Sequence, residues 1–483
     1  MKPPAARLPL GSVVVLCRTV AVHDNGAALI GGAPTRVLYL TDAAQAMFDG
    51  RRLRVRDAGT AALADRLLEA GMANPVWTAG RASSVSAPRV DTASVTYVIP
   101  TYGRPLALDR LLASIGADQQ VIVVDDHSSD PDTISAVTAA HNANLIRLPV
   151  NLGPAEARNA GLRLVTTPYV VFVDTDAVVS PDTVPTLLAH FADPRVALAA
   201  PRVLGLPEGA QATWISRYED ARSSLDLGTE PAAVSPRSAV SWVSSTFLLA
   251  RVDALEDGFG SGMRVAEDVD LVWRLADRGW RIRYEPAATV WHEHRSTPRA
   301  WLSRKTFYGT GAHALAMRHP HNISPAVLAP WSAAVAAALL AQRRWSIPVA
   351  IVICAVTTLR IAAKLTNSTQ PLRVSAALVV SGVGATLSQT MALIVRHWWP
   401  LTLVASIFSR RIRRAAILAA ALDAVIEYRR TQAQLDPFRF ALARRLDDLA
   451  YGAGVWFGAI RGRSWASLLP DIHRQRPSPR RPN

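Results

Sequence analysis

Acidic residues vanish from the chain between Glu293 and Asp423, where 129 consecutive positions hold neither Asp nor Glu. The same stretch contains the most apolar part of the sequence, so its Arg and Lys flank hydrocarbon rather than carboxylates. That pattern fits an anionic lipid surface and excludes a nucleic-acid partner, which calls for basic residues interleaved with exposed aromatics on a polar face. Cysteine is nearly as scarce. Cys17 and Cys354, the only two in 483 residues, cannot build a disulfide framework or a Cys-rich zinc site, and they suit a reducing compartment. Charged residues make up 19% of the chain and hydrophobic ones 50%, which excludes a disordered polymer, and the 27 Gly and 32 Pro follow no repeat, which excludes a collagen-like one.

The charge that is present is unevenly placed. From residue 301 onward there are 24 Lys+Arg against 6 Asp+Glu, a balance of +18 out of a total of +15, so the first 300 residues carry −3. A chain of 483 residues also exceeds what one hydrophobic core supports, and two or three units are expected.

Leu8 to Val22 is apolar behind Lys2 and Arg7, as in a signal peptide, but Gly11 and Arg18 interrupt it and no small-residue cleavage site follows. Val13-Val14-Val15 reads instead as a strand, Arg36 to Leu40 as a second, Asp42 to Phe48 as a helix capped by Thr41, and Thr60 to Ala70 as a helix ended by Gly71. These make a small α+β unit over residues 1–80 in the order strand, strand, helix, helix. The Ser- and Ala-rich stretch that follows reads as a linker, 81–94.

From Val95 the pattern changes to short aliphatic runs ending in polar turns: Val95 to Ile99 before Pro100, Val121 to Val124 before Asp125, and Tyr169 to Val173 before Asp174. Such runs suit strands buried on both faces of a parallel sheet, with Leu106 to Ile115 and Pro154 to Leu164 as crossover helices. Ligands bind at the carboxyl ends of strands in such sheets, so the three polar turns are expected on one edge. Three acidic clusters stand out there and beyond: Asp125-Asp126, Asp174-Thr175-Asp176 and Glu267-Asp268. An isolated Asp-x-Asp is commonly a solvated turn. At the end of a strand as apolar as Val170 to Val173, two mutually repelling carboxylates are a natural Mg²⁺ or Mn²⁺ site.

In order along the chain, Val95-Thr-Tyr-Val-Ile-Pro-Thr-Tyr-Gly-Arg104, Val-Asp-Asp-His-Ser128, Asn-Leu-Gly-Pro-Ala-Glu-Ala-Arg-Asn-Ala-Gly161, Phe-Val-Asp-Thr-Asp176 and Glu-Asp-Val-Asp-Leu-Val-Trp-Arg274 resemble the family 2 glycosyltransferases of the GT-A fold over about 200 residues. His127 departs from that pattern, where a small residue, often Gly, is common. The resemblance implies an α/β GT-A domain over 95–320 and a nucleotide-sugar donor, with a divalent metal (Mg²⁺ or Mn²⁺). Pro100 and Tyr102 would frame the nucleoside, Asp126 would accept a hydrogen bond from uracil if the donor is a UDP-sugar, Arg158 would lie near the diphosphate, and Asp174 near the ribose. Asp176 would be the principal metal contact, with Asp174 and His292 completing the site. His292 is chosen over His294 in Trp291-His-Glu-His294 because it matches the family's strand-end histidine. Asp268 would be the general base of an inverting displacement, its proton affinity raised by neighbouring Glu267. Either acid can also serve the start of the helix that follows.

Gly32, Arg36 to Leu40, Arg217-Tyr-Glu219, Arg222 to Gly228, Tyr308-Gly-Thr-Gly-Ala-His313 and Arg318-His-Pro320 further resemble the glycosyltransferases of the mycofactocin biosynthetic system over nearly the whole chain. That resemblance implies transfer of a hexose, glucose from UDP-glucose, to a peptide-derived acceptor, and a winged-helix-like, peptide-recognising unit at residues 1–80; a structural extension packed on the catalytic domain is the other reading of those residues. A membrane-associated cell-wall or polysaccharide glycosyltransferase is an alternative, as is an inactive peptide-binding or scaffold protein. The Gln-x-x-Arg-Trp motif of processive enzymes has no counterpart in Trp301-Leu-Ser-Arg-Lys-Thr-Phe307, and a scaffold has no use for repelling carboxylates at strand ends.

The C-terminal third reads as an apolar helical region, 321–430, and a basic segment, 431–483. Val374 to Val395 is 22 residues without a charge, enough to cross a hydrocarbon core that needs about 20. Ala326 to Ala341 is shorter, and Trp345 to Ala363 contains Pro348 and Arg360. Trp398-Trp399-Pro400 and Ser409-Arg-Arg-Ile-Arg-Arg414 look like an interfacial belt with a positive-inside flank. A cell-membrane location with the catalytic domain cytoplasmic is expected, with a disordered tail from Arg474.

Overall fold

The computed structural model describes residues 2–77, 92–207 and 212–472. Most of the expected linker 81–94 and the tail from Arg474 lie outside the described residues. Contacts divide the chain into two units, residues 1–211 with 222–294, and residues 212–221 with 295–483.

In the first unit the N-terminal residues form β1 (Val13–Leu16), β2 (Ala21–His23), β3 (Ala28–Gly31), β4 (Arg36–Tyr39), α1 (Asp42–Gln45), β5 (Phe48–Asp49), β6 (Arg52–Arg54), α2 (Ala58–Glu69) and β7 (Ala73–Val76). These are two small antiparallel sheets, β5-β6-β1-β7 and β2-β3-β4, in place of the two strands expected. The extra strands are two to four residues long, too short for an alternation to register. Thr41 caps α1 by accepting from Ala44 N, but the helix lasts one turn and Phe48 already pairs with Leu53 in a strand. Asp57 starts α2 with a reciprocal capping box, Thr60 N to Asp57 Oδ1 at 2.8 Å and Asp57 N to Thr60 Oγ1 at 3.0 Å, so the helix begins two residues earlier than expected. Leu53, Leu67, Met72 and Val14 close a core of their own.

The rest of the unit contains β8 (Val95–Thr101), α3 (Pro105–Ile115), β9 (Gln120–Asp125), α4 (Pro131–Ala140), β10 (Asn144–Arg147), α5 (Pro154–Leu162), β11 (Tyr169–Val173), β12 (Ala177–Val179), α6 (Thr183–Leu188) and β13 (Val196–Gly205). After α7 (Trp214–Arg222), most of which belongs to the second unit, come β14 (Ala232–Ala233), β15 (Phe247–Arg251), α8 (Val252–Leu255), α9 (Glu267–Asp277) and β16 (Arg281–His292). The strands order as β10-β9-β8-β11-β15-β13-β16-β12, with β14 on β16. Central β8 is parallel to β9 and β11, with Thr101 opposite Asp125 and Val98 opposite Phe172, so the three polar turns do share one edge. The sheet is mixed, not parallel: β15 runs antiparallel to β11 and β13, and β12 antiparallel to β16. Phe247 to Ala250 are fully buried, and an antiparallel strand covered on both faces has the composition of a parallel one. The antiparallel run of β15 also brings its first residues to the ligand edge. Helix α5 lies close over β8 because Gly161 has no side chain; a Cβ there would sit 2.4 Å from Val98 Cγ1.

The second unit contains α10 (Pro298–Arg318), α11 (Pro330–Leu340), α12 (Ser346–Ala362), α13 (Pro371–Ala392), α14 (Trp399–Phe408), α15 (Arg410–Thr431) and α16 (Pro437–Arg461). Helices α10 and α16 approach backbone to backbone, since a Cβ on Gly454 would stand 1.9 Å from Thr306 O. The scarce acids of this region are spent inside it: Asp447 accepts from Tyr218 Oη at 3.0 Å, Glu219 holds Lys305 at 2.9 Å, and Asp448 holds Arg444 at 2.8 Å and Arg396 at 3.2 Å. Helix α13 runs on through Leu393–His397, and Pro371–His397 is the one candidate long and apolar enough to cross a membrane among the described residues. No residue of α14 is buried, and Ile347, Ile351 and Leu359 of α12 are exposed.

Candidate active site

The turn after β8 is braced from the turn after β9. Ser128 N donates to Asp125 Oδ1 at 3.0 Å, and Gly103 N to Ser128 Oγ at 2.8 Å. His127 stands in this turn at φ +66°, a left-handed conformation in which Gly would be unstrained. Asp126 is buried and holds the loop before α5, accepting from Leu152 N at 2.7 Å and Gly153 N at 2.8 Å, which leaves a second lone pair on each oxygen. Pro100 is half-buried at the end of β8, its carbonyl accepting from Thr175 Oγ1 at 2.7 Å, while Tyr102 is exposed beyond it.

After β11 the backbone turns, Ala177 N donating to Asp174 O at 3.1 Å, and Asp174 and Asp176 take different partners. Asp174 goes to Arg158 and Asp176 to Arg104. Asp176 Oδ1 also lies 3.3 Å from His292 Nε2, because β12 pairs with the end of β16 and sets Ala177 opposite His292. Two ligand atoms at about 2.1 Å from one octahedral ion stand about 3 Å apart, so this oxygen and imidazole nitrogen fit adjacent positions on a divalent cation. Asp174 does not join them: among the described residues no three His, Cys, Asp or Glu are grouped to hold a metal. Small divalent ions commonly take one or two protein ligands and complete their shell with phosphate and water, which Asp176 and His292 suffice to begin.

Arg158, expected near the diphosphate, is a buried clamp. One terminal nitrogen donates to Glu267 Oε1 at 2.8 Å and the other to Asp174 Oδ1 at 2.6 Å, with the guanidinium 5.2 Å from the centre of the Phe259 ring. Asn159 fixes that ring's backbone, donating to Phe259 O at 2.9 Å and accepting from Phe259 N at 2.8 Å.

Helix α9 opens after Ala266, whose φ of +63° is left-handed and turns the chain sharply into Glu267. Neither acid caps it through its side chain from the N-cap position. Asp268 is half-buried, accepting from Val269 N at 2.8 Å and, at 3.3 Å, from Ser245 N just before β15. Burial and the neighbouring Glu267 carboxylate push its proton affinity up to about 7, against the pull of Arg158. A carboxylate tuned to neutral pH is matched to accept a proton at that pH. Arg104 and Ser245 escaped the sequence reading. Arg104 closes the first motif, where its charge opposite Asp176 was the available signal; Ser245 offers only a backbone amide, which no sequence pattern marks.

A family model described as glycosyl transferase family 2 matches residues 96–259. The pre-mycofactocin glycosyltransferase of Mycobacterium tuberculosis is 40% identical over 484 aligned residues, covering 97% of this chain and 99% of that protein. The poly-beta-1,6-N-acetyl-D-glucosamine synthase of Staphylococcus aureus is 23% identical over 46% of this chain and 56% of its own. Among solved structures, the mannosyltransferase PcManGT from Pyrobaculum calidifontis, in complex with GDP-Man and Mn2+, superposes with a TM-score of 0.38 and 20% identity, covering 64% of this chain and 91% of that one. With identity at that level along its whole length, the chain belongs to the family 2 glycosyltransferases, in the group of the pre-mycofactocin glycosyltransferases.

Proposed function

We propose that the enzyme transfers glucose from UDP-glucose to a peptide-derived acceptor with inversion, and that it works on the cytoplasmic face of a membrane. The observation that carries the chemistry is Asp268, a carboxylate pushed up to about 7 at the mouth of α9. In the displacement, Asp268 takes the acceptor hydroxyl proton, the acceptor oxygen bonds to the anomeric carbon, and the bond from that carbon to the diphosphate oxygen breaks, its electrons leaving with the nucleoside diphosphate. Arg158 pairs with Glu267 and offsets part of the repulsion between the two neighbouring carboxylates, so Asp268 can give up its proton near neutral pH and act as the base. Asp176 and His292 would hold the divalent cation, which when bound neutralises the leaving diphosphate. Pro100 and Tyr102 would frame the base, and the lone pairs of Asp126 not used on its loop would accept from a uracil N–H.

The acceptor class is taken from the full-length similarity to a pre-mycofactocin glycosyltransferase. The membrane reading rests on Pro371–His397, on the exposed apolar faces of α12 and α14, and on the Arg410-Arg411 and Arg413-Arg414 pairs that follow α14. Incubation with a panel of nucleotide sugars, with and without a mycofactocin-type peptide-derived acceptor, tests the function. Acceptor-dependent release of UDP from UDP-glucose is expected; release that ignores the acceptor, or a different preferred donor, contradicts it.

A further inference from the structure

The loop between α8 and α9 displays one arginine from a fixed backbone. Asn159 of α5 holds Phe259 through both backbone groups, Met263 is buried, and Ala266 turns left-handed into Glu267. Between these anchors Arg264 is exposed, with no hydrogen-bond or ion-pair partner among the described residues. Its stem rests on the turn before α5, where a Cβ on Gly153 would stand 3.7 Å from Arg264 Cγ, in ordinary contact. Gly153 is the residue whose N–H reaches Asp126 Oδ2 at 2.8 Å.

The other arginines around these motifs are committed. Arg158 is buried and divided between Glu267 and Asp174, Arg104 donates to Asp176, and Arg147 donates to Pro131 O and, at 2.7 Å, to Ser135 Oγ. A nucleotide sugar laid with its base at Asp126 and its anomeric carbon at Asp268 has its diphosphate between the two. Arg264 meets the Asp126 loop at Gly153 and precedes Asp268 on the same short stretch of backbone, so it belongs to both ends of that line. A guanidinium presents a planar fork that matches a pair of phosphate oxygens, and the diphosphate gains negative charge as its bond to the sugar breaks.

We propose that Arg264 is the residue that grips the donor diphosphate, making the charge-assisted contact for which Arg158 has no donor to spare. This rests on the reading of the donor as a nucleotide sugar seated at Asp126.

The test is titration calorimetry at fixed Mn²⁺ with UDP and uridine, and with GDP and guanosine alongside, on wild type, Arg264→Gln and Arg264→Lys. Arg264→Gln should weaken UDP by about tenfold to a hundredfold, the worth of a hydrogen bond between charged groups, and leave uridine within about twofold. Arg264→Lys should recover part of the loss, because it keeps the charge without the fork. The thermal midpoint should not move, since the side chain is exposed and unpartnered. Equal losses for diphosphate and nucleoside, unchanged UDP affinity, or a midpoint that falls along with UDP affinity would each overturn the proposal. A wild type that prefers GDP would overturn the UDP reading alone, and the selective loss should then appear on GDP against guanosine; a wild type that binds neither diphosphate would overturn both.

Discussion

Arg158 Nη1 donates to Glu267 Oε1 at 2.8 Å and thereby ties α5 to the start of α9, while its Nη2 reaches Asp174 at the end of β11. One buried guanidinium thus fixes the positions of two acidic motifs. Its removal strands Glu267 and loosens Asp174 together, so Arg158→Met should cost about 3–5 kcal/mol in urea unfolding. Adding Glu267→Gln should recover part of that loss. The acid limb of the pH–activity profile should move above about 7 in Arg158→Met, since the charge that opposes Glu267 is gone. An unshifted limb would separate Arg158 from the base.

Asp268 also links stability to pH. Its ordinary value is 3.8 and the folded protein holds it near about 7, so between these the folded state keeps a proton that the unfolded state has lost. Stability from this group is therefore complete below about 4 and lost as pH rises through about 7. Asp268→Asn has no such loss, and its thermal midpoint should gain on the wild type by a few degrees from pH 5 to pH 8. A difference constant across that range would contradict the raised affinity.

Arg104 donates to the same carboxylate, Asp176, that would hold the metal. A cation arriving there must displace or share with a guanidinium. Arg104→Gln should tighten Mn²⁺ binding to the nucleotide-free protein by about threefold to tenfold, read by titration calorimetry, and Asp176→Asn should abolish it. Equal Mn²⁺ affinity in wild type and Arg104→Gln would mean that the ion binds elsewhere.

The membrane reading carries a parity. Helix α10 precedes the apolar helices and α16 follows them, and the two are packed backbone to backbone at Gly309 and Gly454. Any crossings by α11 to α15 must therefore be even in number, with both flanks on one side. With Cys17 and Cys354 replaced by Ser, single cysteines at Arg318 and Arg463 should label from the same side of right-side-out or inverted vesicles. Labelling from opposite sides would break the parity, and full release of the protein by carbonate would remove the membrane reading itself.

Much of the site was legible because chemistry and burial coincide in short stretches. Four apolar residues, Val170 to Val173, delivering Asp174 and Asp176 can be read from the chain alone, as can Glu267-Asp268 ahead of the apolar face of α9. Long-range partners were not legible. That Arg158 clamps Glu267, 109 positions away, and that Arg104 meets Asp176, 72 positions away, depends on the strand order of the sheet. The direction of β15 was hidden because Phe247 to Ala250 are buried on both faces. In the N-terminal unit, strands such as Phe48–Asp49 are set by pairing rather than by pattern.

The central claim, that Asp268 is the base of a glycosyl transfer, is tested most directly by single-turnover transfer from UDP-glucose to the peptide-derived acceptor with Asp268→Asn, with donor affinity measured on the same protein. Turnover should fall by about two to four orders of magnitude while UDP-glucose affinity stays within about twofold, because a general base acts in the transition state and not in donor binding. Transfer at the wild-type rate, or a loss of donor binding as large as the loss of turnover, would contradict it.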